Sequence, residues 1–388
     1  MDGVGLEAML AAAGTPCYVY SASAVADQYR SLAAALVGNP VCYSLKANPN
    51  PAICRLIAGL GAGAEVSSLK ELQTALDTGF NPDKVVHVGP AKTEAELELA
   101  VRSGIKAVVV DSAAELELVE RLAVKTGAKP RLLLRINTNE RLTAWEQMTG
   151  GPSKFGFDEE KVAAEVRPVK LKQARIAGFQ VYSASGVLAA AELCGHLEYV
   201  MRMARRLAGE LGFNLEMIDF GGGFGIPYAE EEPELDLAPV AETAAGLKSA
   251  NRQVEFVFES GRYLVGPAGV FLTRVVRVKE SRRRTFVICD GGMNSFSRPV
   301  VMRLTHPVRL VSRPAEPSSG EFDVCGPICT PIDVSARGVK LPRPEPGDVV
   351  GFFSAGAYGF SMSLLGFMSR GRPAELLAES GQVRDVSG

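Results

Sequence analysis

A lysine and two carboxylates follow or end short apolar segments in this chain of 388 residues. Lys46 follows VCYSL, Glu65 ends GAE, and Glu259 follows EFVF. Burial disfavours the charge of an amine, and a desolvated lysine is a nucleophile suited to forming a Schiff base with a carbonyl compound. A lysine can also lie at a strand end with its charged group in water, so Lys46 alone leaves both interpretations open.

The glycine-rich segment DFGGGFG, residues 219–225, is a second candidate site. Consecutive glycines let backbone N–H groups approach a phosphate closely. Ile226 stands where a GxGxxG fingerprint needs its third glycine, so a dinucleotide site is not predicted. Arg262 can supply positive charge to a phosphate, whereas Glu259 can pair with a protonated ring nitrogen or with Arg262.

Eight β-branched, apolar segments alternate with amphipathic stretches in the first two thirds of the chain. The predicted strands are 41–46, 63–67, 84–88, 106–111, 131–137, 176–182, 216–220 and 255–258. Eight βα units in about 220 residues favour a TIM barrel over a doubly wound sheet. The carboxyl ends of barrel strands face the active site, so this fold brings Lys46, Glu65 and Glu259 together.

A change of pattern after the barrel predicts a second, mainly β domain. Strand-like segments alternate there with Pro, Ser and Gly clusters, and helical spacing returns at 372–379, RPAELLAE. The N-terminal TPCYVYS is also strand-like and is expected to pair with this domain. The predicted fold is therefore α/β, with a barrel over 24–267 and a β-rich domain formed by 1–23 and 268–388.

Composition narrows the class of partner. Lysine and arginine number 42 against 44 acidic residues, a net charge of -2, which removes the electrostatic basis for nucleic-acid binding. No apolar run approaches the roughly 18 residues of a membrane span. The three histidines lie far apart without metal-ligand spacing, so no metal site is predicted. Seven cysteines, an odd number, and an N-terminus without a signal-peptide pattern favour a reducing, cytoplasmic setting.

The candidate residues belong to longer motifs that follow one another in a characteristic order. These are YSLKAN, GAEVSSLKEL, KFGFD, DFGGGFG, ESGRYLVGPAG, DGGMNSFSRP, VCGPICTPID and SAGAYGFSMS. They resemble the fold-type III pyridoxal-phosphate decarboxylases, which include diaminopimelate and ornithine decarboxylases. The resemblance covers nearly the whole chain. It implies an alanine-racemase-like barrel with a β domain, a homodimer, and pyridoxal 5'-phosphate as cofactor.

The resemblance also implies a role for each matching residue. Lys46 is implied to bind the cofactor covalently, and Glu259 to keep the pyridine nitrogen protonated. Cys329, in the β domain, is implied to reach the partner subunit's site and to protonate the product carbon after carbon dioxide leaves. The other implied cofactor contacts are Glu65, Tyr182, Ser185, Gly222, Gly223, Arg262 and Tyr358, and the implied substrate contacts are Arg298, Thr330 and Asp333.

Three departures from these relatives concern the pocket. Tyr182 stands where relatives carry a stacking histidine, and its aromatic face can also stack. Thr330 replaces the acidic residue that follows the catalytic cysteine, so a distal ammonium loses a partner worth about 1.5–3 kcal/mol unless Asp333 compensates. Met302 replaces the tyrosine of the RPxxYxxxHP segment, although Arg298 is kept.

The motifs MTGGPSKFG, GGGFGIPY, CTPID and AGAYG with LLGF resemble the subgroup of the butirosin-pathway and exosortase-associated decarboxylases. The first hypothesis is therefore pyridoxal-phosphate-dependent α-decarboxylation of an amino acid without a distal amine, such as a glutamyl thioester on an acyl carrier protein. The alternative is meso-diaminopimelate decarboxylation in lysine biosynthesis. Racemisation is disfavoured because the C-terminal motifs are those of decarboxylases. A non-catalytic regulator is disfavoured because Lys46, Glu259, Arg262 and Cys329 are all kept.

Overall fold

The computed structural model describes residues 1–140, 142 and 146–388. The described strands are β1 (Cys17–Ser21), β2 (Val41–Ser44), β3 (Gly63–Val66), β4 (Val85–His87), β5 (Ala107–Val110), β6 (Arg131–Asn137), β7 (Glu146–Gln147), β8 (Phe157–Asp158), β9 (Arg175–Gln180), β10 (Ala184–Ser185), β11 (Met217–Asp219), β12 (Glu255–Ser260), β13 (Gly269–Ser281), β14 (Arg284–Cys289), β15 (Val308–Leu310), β16 (Gly320–Cys325), β17 (Val334–Leu341), β18 (Val349–Phe352), β19 (Ala374–Glu379) and β20 (Gln382–Asp385). The described α-helices are α1 (Leu6–Ala13), α2 (Ala22–Ala35), α3 (Pro51–Gly59), α4 (Leu69–Asp77), α5 (Glu94–Arg102), α6 (Ala113–Thr126), α7 (Val162–Val166), α8 (Ala190–Leu211), α9 (Ala238–Ala250), α10 (Arg262–Val265) and α11 (Arg298–Val301).

Eight parallel strands close into a barrel, in the order β2, β3, β4, β5, β6, β9, β11 and β12. Closure is made by β12 against β2, where Phe258 lies opposite Val41. Each of the eight segments predicted to be a strand overlaps one of these strands. The predicted TIM barrel with a second, mainly β domain is therefore confirmed.

The barrel interior has an apolar layer beneath a polar one. The apolar layer consists of Cys42, Val86, Val88, Ala107, Val109, Leu133, Ala177, Met217 and Val257. Because side chains alternate between the two faces of a barrel strand, residues two positions further along also face the interior. These are Ser44, Arg135, Asp219 and Glu259, and Glu65 and Gln180 lie opposite Ser44 and Asp219 in neighbouring strands. The carboxyl ends of the strands thus enclose several charged side chains.

Capping side chains begin the barrel helices directly after the strands. The hydroxyls of Ser68, Thr93 and Ser112 accept N–H groups from the first turns of α4, α5 and α6. These caps let each chain segment leave the sheet through a short loop. Within the described ranges, no helix is both long enough and apolar enough to cross a membrane.

The second sheet joins the two ends of the chain. β1 lies between antiparallel β13 and parallel β19, so the strand predicted at TPCYVYS pairs with the β domain. The helix predicted at 372–379 is wrong, because Ala374–Glu379 forms β19. Leu376 packs with the α1 side of the sheet and Leu377 with the main core, so both faces are covered. Burial of neighbouring leucines on opposite faces suits a central strand and not an amphipathic helix.

Two hydrogen bonds to backbone carbonyl groups join the β domain to the barrel beside Lys46. The side-chain amide of Asn48 donates to the carbonyl of Gly356 at 3.1 Å. The N–H of Tyr358 donates to the carbonyl of Ala47 at 2.7 Å. The loop after β18 is therefore held over the carboxyl end of β2, which brings Tyr358 to the polar layer.

Candidate active site

Lys46 lies in a 3-10 turn, Leu45–Ala47, immediately after β2 and not within the strand. Its ammonium is 2.5 Å from Glu65 Oε2 and donates to Ser44 Oγ at 2.6 Å. Ser44 and Ser67 also donate to the Glu65 carboxylate. Glu65 is fully buried, and these contacts fix it against Lys46.

The electrostatics of this pair correct the expectation that burial destabilises the charge of Lys46. Burial alone lowers the pKa of Lys46, but the Glu65 carboxylate offsets it, and the pKa lies above its ordinary value. Burial likewise raises the pKa of Glu65, while Lys46 and the two serine hydroxyls bring it below its ordinary value. The pair is therefore charged, and Glu65 is positioned to take the proton that Lys46 must lose before it can act as a nucleophile.

Arg262 and the glycine loop meet beside this pair. Arg262 opens α10 and donates to Ser185 Oγ and Tyr228 Oη, both at 3.0 Å. Gly223 has a φ of 107°, a conformation that favours glycine. A Cβ at Gly222 would lie 2.8 Å from the carbonyl oxygen of Glu259. Gly222 therefore lets the loop lie close to β12, and Gly223 allows the backbone conformation of the loop.

These elements surround one cavity of about 310 Å³. Its lining is Ser44, Lys46, Tyr182, Ser185, Gly222, Gly223, Phe224, Glu259, Ser260, Gly261, Arg262 and Tyr358. Every predicted cofactor residue except Glu65 lines it, and Glu65 lies behind Lys46. The buried hydroxyl of Ser260 has no hydrogen-bond partner in the described part of the chain.

Two tyrosines line the cavity, Tyr182 beside Lys46 and Tyr358 beside Arg262. Lys46 Nζ is 5.6 Å from the ring centroid of Tyr182, and the guanidinium of Arg262 is 5.0 Å from the ring of Tyr358. Burial raises the pKa of Tyr358 to about 12, so its phenol stays neutral. Tyr182 is at the position where the sequence predicts a stacking ring, beside Lys46.

Glu259 ends the inward-facing row of β12 and is almost completely buried. The side-chain amide of Gln180 donates to Glu259 Oε1 at 3.1 Å. Burial and the charge of Glu65 raise the pKa of Glu259 to about 7. A carboxyl group that titrates near neutrality can share a proton with a pyridine nitrogen, whose charge it then stabilises.

A second chamber, of about 600 Å³, adjoins the first and shares Lys46, Tyr182, Ser185, Arg262 and Tyr358 with it. The remaining lining residues are Met148, Arg298, Met302 and Met362. No carboxylate lines this chamber within the described residues. Arg298 is buried and donates to Tyr228 Oη at 2.8 Å and to the carbonyl of Ala357 at 3.0 Å.

Three predicted residues lie apart from both cavities, on the loop between β16 and β17. Cys329 is exposed, and its backbone N–H contacts the sulfur of Met368 at 3.3 Å. Thr330 is the next residue along the loop. Asp333 is buried, and its carboxylate accepts the backbone N–H groups of Met293 at 2.7 Å and Ile328 at 2.8 Å.

These contacts correct the expectation that Asp333 can pair with a distal ammonium group of the substrate. One oxygen of the carboxylate accepts from Met293 in the loop after β14 and the other from Ile328 in its own loop, so the buried side chain joins two loops and does not face a substrate ammonium. Its proximity to Thr330 in sequence was misleading because the buried carboxylate turns toward the Gly292 and Gly326 backbones. Thr330 therefore has no acidic substitute on this loop.

Sequence reasoning missed three polar residues of the site. Gln180 and Asp219 end the observed strands β9 and β11 and lie near the ends of the predicted strands 176–182 and 216–220, so the rule that found Glu65 and Glu259 also applies to them. Tyr228 lies in the loop after β11 and receives hydrogen bonds from Arg262 and Arg298. That contact requires three distant segments to meet, and nothing in the local sequence indicates it.

The arrangement fits a phosphorylated pyridine aldehyde. Lys46 supplies an amine, Arg262 and the glycine loop suit a phosphate, and Glu259 suits a ring nitrogen. The buried Ser260 hydroxyl, which has no hydrogen-bond partner in the described part of the chain, adds a polar group to the same cavity. Within the described ranges, no group of three or more His, Cys, Asp or Glu residues is arranged to hold a metal ion. Fold and site together define a barrel enzyme of the pyridoxal-phosphate class.

Comparison with known proteins identifies the family. Residues 22–266 match the family described as pyridoxal-dependent decarboxylase, pyridoxal binding domain. The chain belongs to this family, the fold-type III pyridoxal-phosphate decarboxylases. It is a lyase that uses pyridoxal 5'-phosphate to decarboxylate an amino acid.

Individual relatives cover nearly the full chain. The L-glutamyl-[BtrI acyl-carrier protein] decarboxylase of Niallia circulans is 33% identical over 98% of this chain and 92% of its own. The diaminopimelate decarboxylase of Pseudomonas aeruginosa is 35% identical over 99% of this chain and 92% of its own. The crystal structure of diaminopimelate decarboxylase from Helicobacter pylori complexed with L-lysine has a TM-score of 0.90 and 29% identity, covering 98% of this chain and 96% of the other. The relatives thus include both substrate classes considered from the sequence.

Proposed function

We propose that the enzyme decarboxylates an α-amino acid whose distal end carries no ammonium group, presented as a thioester on an acyl carrier protein. The proposal rests on the lining of the second chamber. This lining includes Arg298 and three methionines, and none of its described residues is a carboxylate. A substrate ammonium in such a chamber is desolvated without a charged partner, which is unfavourable. The activity of the Niallia circulans relative, an L-glutamyl-[BtrI acyl-carrier protein] decarboxylase, supports a glutamyl thioester in particular.

The predicted residues that line the two cavities, together with Glu65, receive roles in this proposal. When bound, pyridoxal phosphate supplies the electron sink for loss of carbon dioxide. Lys46 holds the cofactor and exchanges a proton with Glu65, while Glu259 faces the ring nitrogen. Arg262, Ser185, Gly222, Gly223 and Tyr358 would surround the phosphate, Tyr182 would stack on the ring, and Arg298 would face the distal end of the substrate in the second chamber.

We propose that the functional unit is a homodimer in which Cys329 acts in the partner subunit's site. Cys329 lies outside the cavities of its own subunit, on a surface with exposed apolar side chains. These are Ile332, Met362, Leu364, Phe367 and Met368. An exposed apolar patch of this kind is typical of a protein interface.

Mixing two inactive variants tests the shared site. Lys46→Ala and Cys329→Ala subunits, each with low activity alone, are denatured together and refolded. In random dimers one site in four regains both residues, so about one quarter of wild-type activity is expected. Sedimentation of each preparation reports the dimer directly. Complementation that fails in preparations with the dimer mass would contradict a shared site.

We also propose that the enzyme works in the cytoplasm. All seven cysteines are unpaired. A reducing compartment keeps the Cys329 thiol available as a proton donor, because thiols there are maintained in the reduced form.

Carbon dioxide release from two substrates tests the substrate proposal. Purified, cofactor-loaded protein is given glutamyl carrier-protein thioester or meso-diaminopimelate at saturating concentration, with Lys46→Ala as the control for release that does not depend on the enzyme. We expect fast, lysine-dependent release from the thioester only. Fast release from meso-diaminopimelate would instead establish the alternative function in lysine biosynthesis.

Thr330→Glu is expected to slow turnover of the carrier-linked substrate. An added carboxylate near the substrate's distal end must be desolvated without a substrate cation to pair with, so kcat/KM should fall by about tenfold or more. Thr330→Gln has nearly the same size without the charge and is the matched control. The thermal midpoint should be unchanged for both variants because Thr330 is on a loop at the surface. Equal or better turnover by Thr330→Glu would count against a substrate without a distal amine.

A further inference from the structure

Asp219 is a buried carboxyl group that the proposed reaction leaves without a role. It is the last residue of β11 and is completely inaccessible to solvent. Its Oδ1 accepts the backbone N–H of Gly221 at 2.9 Å. Its Oδ2 is also buried and has no hydrogen-bond partner among the residues that the structure describes. An ionised carboxylate oxygen in this environment is strongly disfavoured.

The strands on either side of β11 place Asp219 next to the Gln180–Glu259 pair. Asp219 lies opposite Gln180 in β9 and opposite Val257 in β12, two residues before Glu259. Gln180 donates its Nε2–H to Glu259, while its own Oε1 lacks a partner in the described part of the chain. The three side chains therefore present more acceptor oxygens than donors. One proton on Asp219 corrects this imbalance.

The charges of the polar layer show which acid carries that proton. The facing groups are Lys46 and Glu65, 2.5 Å apart, Arg135, which lies 4.0 Å from Asp111, and the thiol of Cys42. Both cations thus already contact other carboxylates. Lys46 and Arg135 also favour the ionised form of Glu259, whereas no cation is among the main influences on Asp219.

Burial and the neighbouring charge of Glu259 raise the pKa of Asp219 well above its usual range. The pKa of Glu259 is raised only to about 7. Two adjacent carboxyl groups share their protons unequally, and the one without a cation retains its proton. The direction of the pKa shifts therefore agrees with the hydrogen-bonding imbalance.

We propose that Asp219 is a positioning residue, held as a neutral acid whose O–H donates to the Gln180–Glu259 pair, so that the negative charge stays on Glu259. This inference rests on the proposed placement of the cofactor's ring nitrogen beside Glu259. In that position a localised charge on Glu259 stabilises a protonated ring nitrogen. Asp219 contacts neither substrate nor cofactor and acts through Glu259.

Infrared difference spectroscopy tests the protonation state without relying on activity. Wild type, Asp219→Asn and Glu259→Gln are compared at neutral pH, each with and without pyridoxal phosphate. We expect the carbonyl-stretch band of a buried carboxylic acid in wild type and in Glu259→Gln, and its loss in Asp219→Asn. Absence of an Asp219 band in both wild-type forms would overturn the proposal, whatever the substrate of the enzyme.

Kinetics and cofactor absorbance separate a positioning role from a structural one. Asparagine keeps the shape and a neutral donor, so Asp219→Asn should retain kcat within about threefold, with an unchanged pH profile of cofactor absorbance. Asp219→Ala removes the donor, and its kcat should fall about 10- to 100-fold, with a displaced pH profile. Equal losses in the two variants would overturn the proposal. If cofactor binding or decarboxylation fails in wild type, the proposed function fails, whereas the infrared result is unaffected.

Discussion

Lys46→Ala should abolish the absorbance of the bound cofactor and lower kcat by about 10³-fold or more, because it removes the amine that holds the cofactor. It should also destabilise the fold, since the buried Glu65 carboxylate loses its ammonium partner. Lys46→Arg separates these effects. The guanidinium keeps a positive charge beside Glu65 but cannot hold the aldehyde covalently, so this variant should fold normally and remain inactive.

Absorbance spectra, carbon dioxide release and thermal unfolding of the two variants check this prediction. Lys161→Ala is the control, because Lys161 is an exposed lysine whose ion pair with Asp158 lies at the surface. Turnover by Lys46→Arg near the wild-type rate would remove Lys46 from the catalytic machinery. Equal instability of the arginine and alanine variants would show that Glu65 needs the ammonium itself and not only a positive charge.

The parts of the fold that could be predicted from sequence are those with a local signal. The barrel strands are short apolar runs buried on both faces, and several of them carry a polar residue of the site at or near their carboxyl ends. The segment RPAELLAE was incorrectly predicted to be helical. Its residues favour a helix, and nothing in the segment indicates that β1 pairs with it along its length. Pairing with a distant strand can overrule local propensity, and the sequence of the segment does not record the partner.

The candidate site also has features that could be predicted from the sequence and features that could not. Motif positions placed Lys46, Glu259 and Arg262 in one cavity, although Lys46 is far from the other two in the chain. The charge state of Lys46 could not be read from its own segment, because it depends on a carboxylate in the next strand. The error for Asp333 has a similar origin, since its backbone partners are fixed by the meeting of two loops. Residue type predicts which chemistry is available to a side chain, while its hydrogen-bond and charge partners determine its charge state and orientation.

Glu259→Gln should lower kcat by about 10²–10³-fold, because a neutral amide cannot stabilise a protonated ring nitrogen. KM should change little, since Glu259 is outside the second chamber, where the substrate's distal end is proposed to lie. Glu230→Gln, at an exposed carboxylate, is the control. Steady-state kinetics and the pH dependence of the cofactor's absorbance provide the measurement, and a wild-type kcat in Glu259→Gln would exclude this role.

The same variant has a second effect that can be measured without cofactor or substrate. Glu259 has a pKa of about 7 in the folded protein, above its ordinary value of 4.5. A raised carboxyl pKa stabilises the fold below the unfolded pKa, and this contribution is lost as pH rises through the folded pKa. The glutamine of Glu259→Gln cannot ionise, so the variant does not lose this stability as pH rises. Its free energy of unfolding should therefore rise relative to wild type between about pH 5 and pH 8. Urea unfolding of the cofactor-free proteins checks this, and a difference independent of pH would show that Glu259 is not the group titrating near neutrality. Asp219 is proposed to keep its proton in the folded protein throughout this range and to ionise only on unfolding, so Asp219→Asn should likewise raise the free energy of unfolding relative to wild type as pH rises.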